Sequence, residues 1–245
     1  MNLQAPLLRY FGIPKQTNSL KTELQNNKVK IQLTGLIGSS FAITASAVIR
    51  DSNNPHLFIF RDKEEASYFI NDIENLLKND IFFFPASYRR AYQVEETDNA
   101  NILLRSEVLN KLNNKRNSII VTYSQALSEK VVSRKILKKQ TISIKTNDIV
   151  HIDRLEDMLI KLNFKKVDFV IEAGQYSIRG GIVDVYSYAH ENPYRLEFFD
   201  DEVESIRIFD INNQLSIINK EKATIIPNTE AKKSITSQVS FLEYL

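Results

Sequence analysis

Two neighbouring stretches decide the fold of the second half of the chain: residues 174–186 read GQYSIRGGIVDVY, and residues 193–210 read PYRLEFFDDEVESIRIFD. In both stretches apolar and polar side chains alternate, which is typical of β-strands with one buried face. Paired glycines and paired acids interrupt the alternation where tight turns are expected. The pattern predicts an antiparallel sheet with strands at Val167–Glu172, Gln175–Arg179, Gly181–Ser187, Tyr194–Phe199 and Val203–Asp210.

The strand at Tyr194–Phe199 has one apolar face and one mixed face. Its even-numbered residues are aromatic or aliphatic and should face the core, because alternate side chains of a strand point the same way. Its odd-numbered residues are Arg195, Glu197 and Phe199. We therefore expect these three side chains on the opposite face of the sheet.

The register of the following hairpin can be predicted from the same alternation. A three-residue loop at Asp200–Glu202 pairs Leu196 with Ile206, whereas a two-residue loop would place a serine opposite that leucine. The three-residue loop keeps the apolar face apolar, so we favour it. It places Arg195 opposite Arg207, and like charges directly opposite are mildly destabilising. An acidic partner that uses both arginines would explain the arrangement.

Arg179 ends the strand before a glycine pair and points away from the aromatic side of its strand. Gly180 and Gly181 then allow a bulge or a close approach of two backbones. Arginines beside a semi-exposed aromatic ring have the composition of a binding hot spot. The alternative is structural: strand arginines commonly lie in water or pair with glutamates, and a loop could cover Phe199.

The first half of the chain alternates short apolar strands with helices, which predicts a parallel sheet covered on both faces. We expect an α/β domain over residues 1–139, a smaller α+β domain with an antiparallel sheet over 140–228, and a segment at 229–245 that returns to the first domain. The predicted strands are Lys30–Thr34, His56–Phe60, Ile81–Phe84 and Ser118–Tyr123, and Gln125–Arg134 is predicted as a helix.

The loop between the first predicted strand and its helix lies where a phosphate-binding P-loop belongs. It retains Gly35, Gly38 and Ser40. A P-loop needs a lysine for the β- and γ-phosphates and a serine or threonine for Mg²⁺, and here these positions are Phe41 and Ala42. The loop is therefore either an ordinary strand-to-helix turn with residual glycines or part of a degenerate nucleotide fold, and nucleotide binding is not expected.

Composition excludes several classes of function. Basic residues number 32 and acidic residues 30, so the charge does not indicate a dedicated nucleic-acid binder. The chain has no cysteine and only three, widely separated histidines, so neither a thiol nucleophile nor a metal site is predicted. Neither a secretory signal nor a membrane span is evident in the sequence, and we expect a cytoplasmic location.

The two opening stretches resemble a signature shared by the excision-repair protein UvrB and the transcription-repair coupling factors (Mfd). In that family the segment forms the domain that binds UvrA. UvrB carries an intact P-loop and a long aromatic hairpin, whereas this sequence lacks the lysine and has little room for a hairpin after Pro85. The resemblance therefore implies the UvrB-like amino-terminal module of a coupling factor, in which the first domain is a degenerate, non-hydrolysing P-loop fold. It also implies that the chain is a fragment of a much longer protein.

That resemblance assigns residues and partners by motif position. Arg179, Arg195 and Phe199 are the candidates for contact with UvrA, and the register adds Arg207. UvrB has a further arginine at the position of Ser177. The resemblance implies no catalysis and no cofactor in this chain, with ATP and Mg²⁺ used by a motor region elsewhere. RNA polymerase and double-stranded DNA would be contacted through other regions of such a protein.

Two other functions are compatible with the sequence. Basic clusters around Arg89-Arg90 and at Arg134–Lys139 would suit a DNA-binding module, although solvated helix ends have the same composition. An ATP-binding enzyme is the second alternative, and the substituted P-loop argues against it.

Overall fold

The computed structural model describes residues 15–26, 28–50, 52–87, 99–114, 118–229 and 238–244. The helices are α1 Lys15–Leu24, α2 Ser40–Ile49, α3 Lys63–Leu76, α4 Asn99–Asn113, α5 Ser124–Leu127, α6 Arg134–Gln140, α7 Ile152–Lys161 and α8 Phe241–Tyr244. The strands are β1 His56–Phe60, β2 Ile81–Phe84, β3 Ile119–Tyr123, β4 Lys130–Val132, β5 Ile142–Lys145, β6 Lys165–Lys166, β7 Gln175–Arg179, β8 Ile182–Val185, β9 Tyr194–Phe199, β10 Glu202–Phe209, β11 Ser216–Lys220, β12 Lys222–Ile225 and β13 Gln238–Ser240.

The chain forms two compact units, each assembled from two separate stretches. The first comprises Met1–Phe84 and Arg116–Gln125, and the second comprises Pro85–Lys115 and Ala126–Leu245. The mixed α/β class with one parallel sheet and several antiparallel sheets is as predicted. Domain boundaries at residues 139 and 228 stay predictions.

A three-stranded parallel sheet in the order β1-β3-β2 organises the first unit. All five residues of the central strand β3 are buried, which explains its unbroken run of apolar and β-branched side chains. Asp62 caps α3, as its spacing before Glu65 predicts, because its carboxylate accepts the backbone N–H of Glu65 at 2.9 Å.

The predicted strand at Lys30–Thr34 is wrong. Residues 29–37 have no regular secondary structure, and Ile31 and Leu33 are exposed. A strand requires a neighbour to satisfy its backbone groups, and no strand in the described part of the chain pairs with this segment. The local pattern, two apolar side chains in five residues, does not indicate whether a partner strand is present.

The predicted helix at Gln125–Arg134 is also wrong. Helix α5 ends at Leu127, and the chain then enters β4, which pairs antiparallel with β13 near the end of the sequence. Val131 and Val132 are buried by this pairing. Their strand partner lies too far along the chain to be inferred from the local pattern.

The core of the second unit lies between α7 and one face of a six-stranded sheet. The strand order is β11-β10-β9-β8-β7-β6, antiparallel throughout except between β6 and β7. Leu155 and Leu159 of α7 are fully buried, and a buried leucine side chain stabilises by about 2 kcal/mol. The sheet side of this core consists of Tyr176, Val183, Val185, Tyr194, Leu196, Phe198, Val203 and Ile206.

The predicted hairpin register is confirmed, but its turn is different. Leu196 pairs with Ile206, and Arg195 pairs with Arg207. Phe199 already pairs with Glu202, so the turn has two residues, and a β-bulge between Val203 and Ser205 restores the predicted register. A bulge inserts one unpaired residue, which has the same effect on register as one extra loop residue.

The predicted strand at Val167–Glu172 is wrong, because the strand in this region, β6, ends at Lys166, directly before it. Residues 167–174 form a loop that leaves Phe169 and Ile171 exposed. The carbonyl of Asp168 accepts a side-chain hydrogen bond from Ser177 at 2.9 Å. Side-chain donors thus take the place of a strand partner here.

None of the helices within the described ranges is long and apolar enough to cross a membrane.

Candidate functional site

A row of polar residues crosses the face of the six-stranded sheet opposite α7. Ser177, Asp184, Arg195 and Arg207 are successive cross-strand partners on β7, β8, β9 and β10. Directly paired residues point to the same face of a sheet. We call this surface, with Arg179, Glu197 and Phe199, the arginine face.

Asp184 is fully buried and holds two of the predicted residues together. Its Oδ1 accepts Arg195 Nε at 2.7 Å, and its Oδ2 accepts Arg195 Nη2 at 2.8 Å. The same Oδ2 accepts Arg179 Nη2 at 2.5 Å. Asp184 is not among the predicted contacts, although an acid at an outward position between two arginine-bearing strands is the signal that points to it.

Arg195 is fixed by its surroundings more tightly than a strand arginine in water. Its guanidinium carbon lies 4.5 Å from the centre of the Phe209 ring, and its Nη1 donates to the carbonyl of Gln214 at 3.1 Å. The hydrogen bond to Asp184 raises the pKa of Arg195 above its usual value despite the opposing effect of burial. Only 16% of the side chain is exposed, so the cationic surface that Arg195 presents to solvent is small.

Arg179 is more accessible, with 38% of its side chain exposed. Its Nη1 donates to the carbonyl of Asp168 at 2.8 Å, and its guanidinium carbon lies 5.2 Å from the centre of the Phe169 ring. Arg179 and Arg195 therefore share one arrangement: each guanidinium contacts the Asp184 carboxylate and an aromatic ring.

Arg207 stands opposite Arg195, as predicted, and forms an ion pair with Glu197 on β9. Glu197 also accepts the hydroxyl of Ser205 at 2.9 Å. Each of the two opposed arginines thus has its own carboxylate within the chain. The explanation offered for their juxtaposition, an acidic partner that uses both, is not required by the structure.

Phe199 is the most exposed aromatic side chain of the arginine face, with 76% of its surface open. It ends β9 beside a turn in which Asp200 has a positive φ of 55°. Ile149 forms an isolated bridge with Glu202, the strand partner of Phe199, and is exposed as well. No loop in the described part of the chain covers Phe199, in contrast to the structural alternative.

In the P-loop-like segment of the first unit, the positions of the phosphate-binding lysine and of the metal ligand are apolar. Gly35 and Gly38 have positive φ, and Ser40 begins α2. Phe41 lies 5.2 Å from Phe69 between ring centres, in a cluster with the rings of Phe58 and Phe60. Ala42 is buried. The residues at the lysine and metal-binding positions therefore belong to the core and do not fit the phosphates of a nucleotide.

The basic clusters proposed for DNA are only partly described. Arg89 and Arg90 lie outside the described residues. In the other cluster, Arg134 donates to the carbonyl of Leu112 at 3.2 Å and lies over the ring of Tyr244 at 4.9 Å. The guanidinium group of Arg134 thus has partners within the chain, and DNA binding stays a prediction.

Comparison with known proteins relates the arginine face to one family of domains. Residues 142–230 match the model of the UvrB interaction domain. The transcription-repair-coupling factor of Bacillus subtilis is 29% identical over 199 residues, which are 81% of this chain and 17% of that protein. The coupling factor of Haemophilus influenzae is 26% identical over 206 residues, 84% of this chain and 18% of that protein.

UvrB itself is also similar. The UvrABC system protein B of Chlorobium phaeobacteroides is 24% identical over 228 residues, covering 87% of this chain and 33% of that protein. The chain thus spans less than a fifth of the two coupling factors and a third of this UvrB relative. The match to the interaction-domain model contains all four arginine-face residues that were predicted as contacts.

Proposed function

We propose that this chain, in which residues 142–230 carry a UvrB interaction domain and most of the length resembles transcription-repair-coupling factors, docks UvrA through the arginine face. The convergence of Arg179 and Arg195 on the buried Asp184 is the observation that carries this proposal. It gives the face a rigid cationic centre, and the exposed ring of Phe199 lies on the same face.

The chemistry of the face suits an acidic partner surface that also has an apolar pocket. Guanidinium groups fixed in place lose little side-chain entropy when they bind a carboxylate, and an exposed aromatic ring is a frequent hot spot. Arg207 belongs at the margin of this surface because Glu197 already pairs with it. Docking rather than catalysis is the role that these residues support.

In a complete coupling factor we infer that this docking recruits UvrA to DNA damage where transcription has stalled. RNA polymerase, double-stranded DNA and ATP-driven movement would be served by other regions of such a protein. The support is the resemblance to coupling factors over 81% and 84% of this chain.

Titration of the chain against UvrA from the same organism tests the proposal. We expect Arg195→Ala to weaken binding by at least ~1 kcal/mol, or about fivefold, because it removes a cationic contact and loosens Asp184. Arg154→Ala removes the same charge from the exposed side of α7 and should leave the affinity unchanged. Equal affinities of the unaltered chain and a triple Arg179/Arg195/Phe199 alanine variant would exclude the proposed docking face.

We also infer that the first unit binds no nucleotide, since Phe41 occupies the position of the phosphate-binding lysine and packs among aromatic rings. A ligand present at a hundred times its Kd stabilises a protein by about 2.7 kcal/mol. We expect no change in Tm with ATP and Mg²⁺, measured by thermal unfolding with UvrB as the positive control. A nucleotide-dependent rise in Tm would contradict this inference.

A further inference from the structure

Phe169 is a large aromatic residue that is not part of the hydrophobic core. It lies in the loop between β6 and β7, and 61% of its surface is exposed. Exposure of this extent is unusual for a phenylalanine in an ordered loop, because burying the side chain would stabilise the fold by about 2 kcal/mol.

The loop is nevertheless held in a defined place beside the arginine face. The carbonyl of Asp168 accepts two side-chain hydrogen bonds from β7, one from Ser177 at 2.9 Å and one from Arg179 at 2.8 Å. These bonds fix the residue directly before Phe169. The exposed ring is therefore positioned by the sheet, in the same way as the arginines.

Arg179 connects Phe169 with the centre of the face. Its guanidinium carbon lies 5.2 Å from the centre of the Phe169 ring, while its Nη2 contacts the carboxylate of Asp184. A cation over an aromatic ring in this range is attracted to it. An acidic group that approaches the open edge of Arg179 must therefore also come close to Phe169.

We propose that Phe169 is a second aromatic anchor of the arginine face. It lies beside Arg179, whereas the first aromatic anchor, Phe199, lies at the end of β9. The occupant is the same partner, UvrA, and the inference rests on the proposed function. The surface of UvrA would place an apolar patch next to the carboxylate that binds Arg179. The continuity of Phe169, Arg179 and Asp184 through direct contacts is the reason for assigning all of them to one interface.

The test is a titration of UvrA with the whole chain carrying Phe169→Ala. We expect affinity to fall about five- to tenfold, because an exposed aromatic hot spot typically contributes at least 1 kcal/mol. Tyr68→Ala is the matched control, since Tyr68 is an exposed aromatic residue of α3 in the other unit. It should bind as the unaltered chain does.

A double-mutant cycle separates the ring from the arginine. The combined Phe169→Ala and Arg179→Ala change should cost less than the sum of the single changes, because each residue supports the other. If Phe169→Ala binds normally while the triple Arg179/Arg195/Phe199 variant is weakened, Phe169 is not an anchor and the docking face stands. If the unaltered chain does not bind UvrA, both inferences fail.

Discussion

Replacement of Asp184 by alanine is expected to lower the free energy of unfolding by about 3 kcal/mol, the cost typical of removing one partner from a buried ion pair. The carboxylate is fully buried and accepts three hydrogen bonds from two guanidinium groups. Without it, Arg195 keeps its charge in a site where only 16% of its side chain reaches solvent. Urea unfolding of both proteins measures the difference.

Glu197→Ala is the matched control for this prediction. It breaks the ion pair with Arg207 on the same face, but both of those side chains are partly solvated. A partly solvated pair contributes less than a fully buried one, so the control should cost less than Asp184→Ala. Equal losses for the two variants would show that burial of Asp184 is not the source of its effect.

Asp184 is also expected to matter for the proposed docking. Asp184→Asn keeps the shape of the side chain but removes the charge that both arginines contact. We expect the affinity for UvrA to fall with this variant even where the chain stays folded, because Arg179 and Arg195 lose their common anchor. Asp184 would thus act as a positioning residue through the two arginines.

Gly181→Ala is expected to destabilise the chain by about 2–3 kcal/mol, in the range of substitutions that force a backbone shift. A Cβ atom at this position would lie 2.7 Å from the backbone oxygen of Phe198. The backbone N–H of Phe198 also donates to the carbonyl of Gly181 at 2.7 Å, so the two strands cannot separate without losing that bond. Of the two alternatives that the glycine pair allows, a bulge or a close approach of two backbones, this geometry is the close approach.

Gly180→Ala provides the comparison within the same turn. Gly180 has a positive φ of 57°, but no atom lies within 4 Å of the position of its Cβ. Alanine there costs only the conformational penalty of the left-handed region, roughly 1 kcal/mol. Urea unfolding of both variants should therefore show a larger loss for Gly181. The reverse order would contradict the geometry of this hairpin.

The structure accounts for the composition of the arginine face. Its positive groups are paired within the chain, so the face presents fixed donors rather than a high net charge. Its apolar side chains, Phe199 and Phe169, are exposed next to those donors. Such a face gains selectivity from geometry, because only a partner with an acid and an apolar surface at matching positions satisfies both.

Elements whose pattern is local could be predicted from the amino-acid sequence alone. Alternation over Tyr194–Phe199 identified the core side of β9 and the residues of the opposite face, since side chains in a strand must alternate. The need to keep that core side apolar predicted the pairing of Arg195 with Arg207. The presence of Phe41 at the lysine position of the P-loop motif could likewise be recognised from that single position.

Features that depend on residues distant in sequence followed only from the three-dimensional structure. It placed Asp184 between two arginines, paired β4 with β13, and left residues 167–174 as a loop that exposes Phe169. The physical reason is common to all three. A strand or a buried charge is stable only if its hydrogen-bonding partners are present, and a local pattern shows what a residue needs without showing which distant residue supplies it.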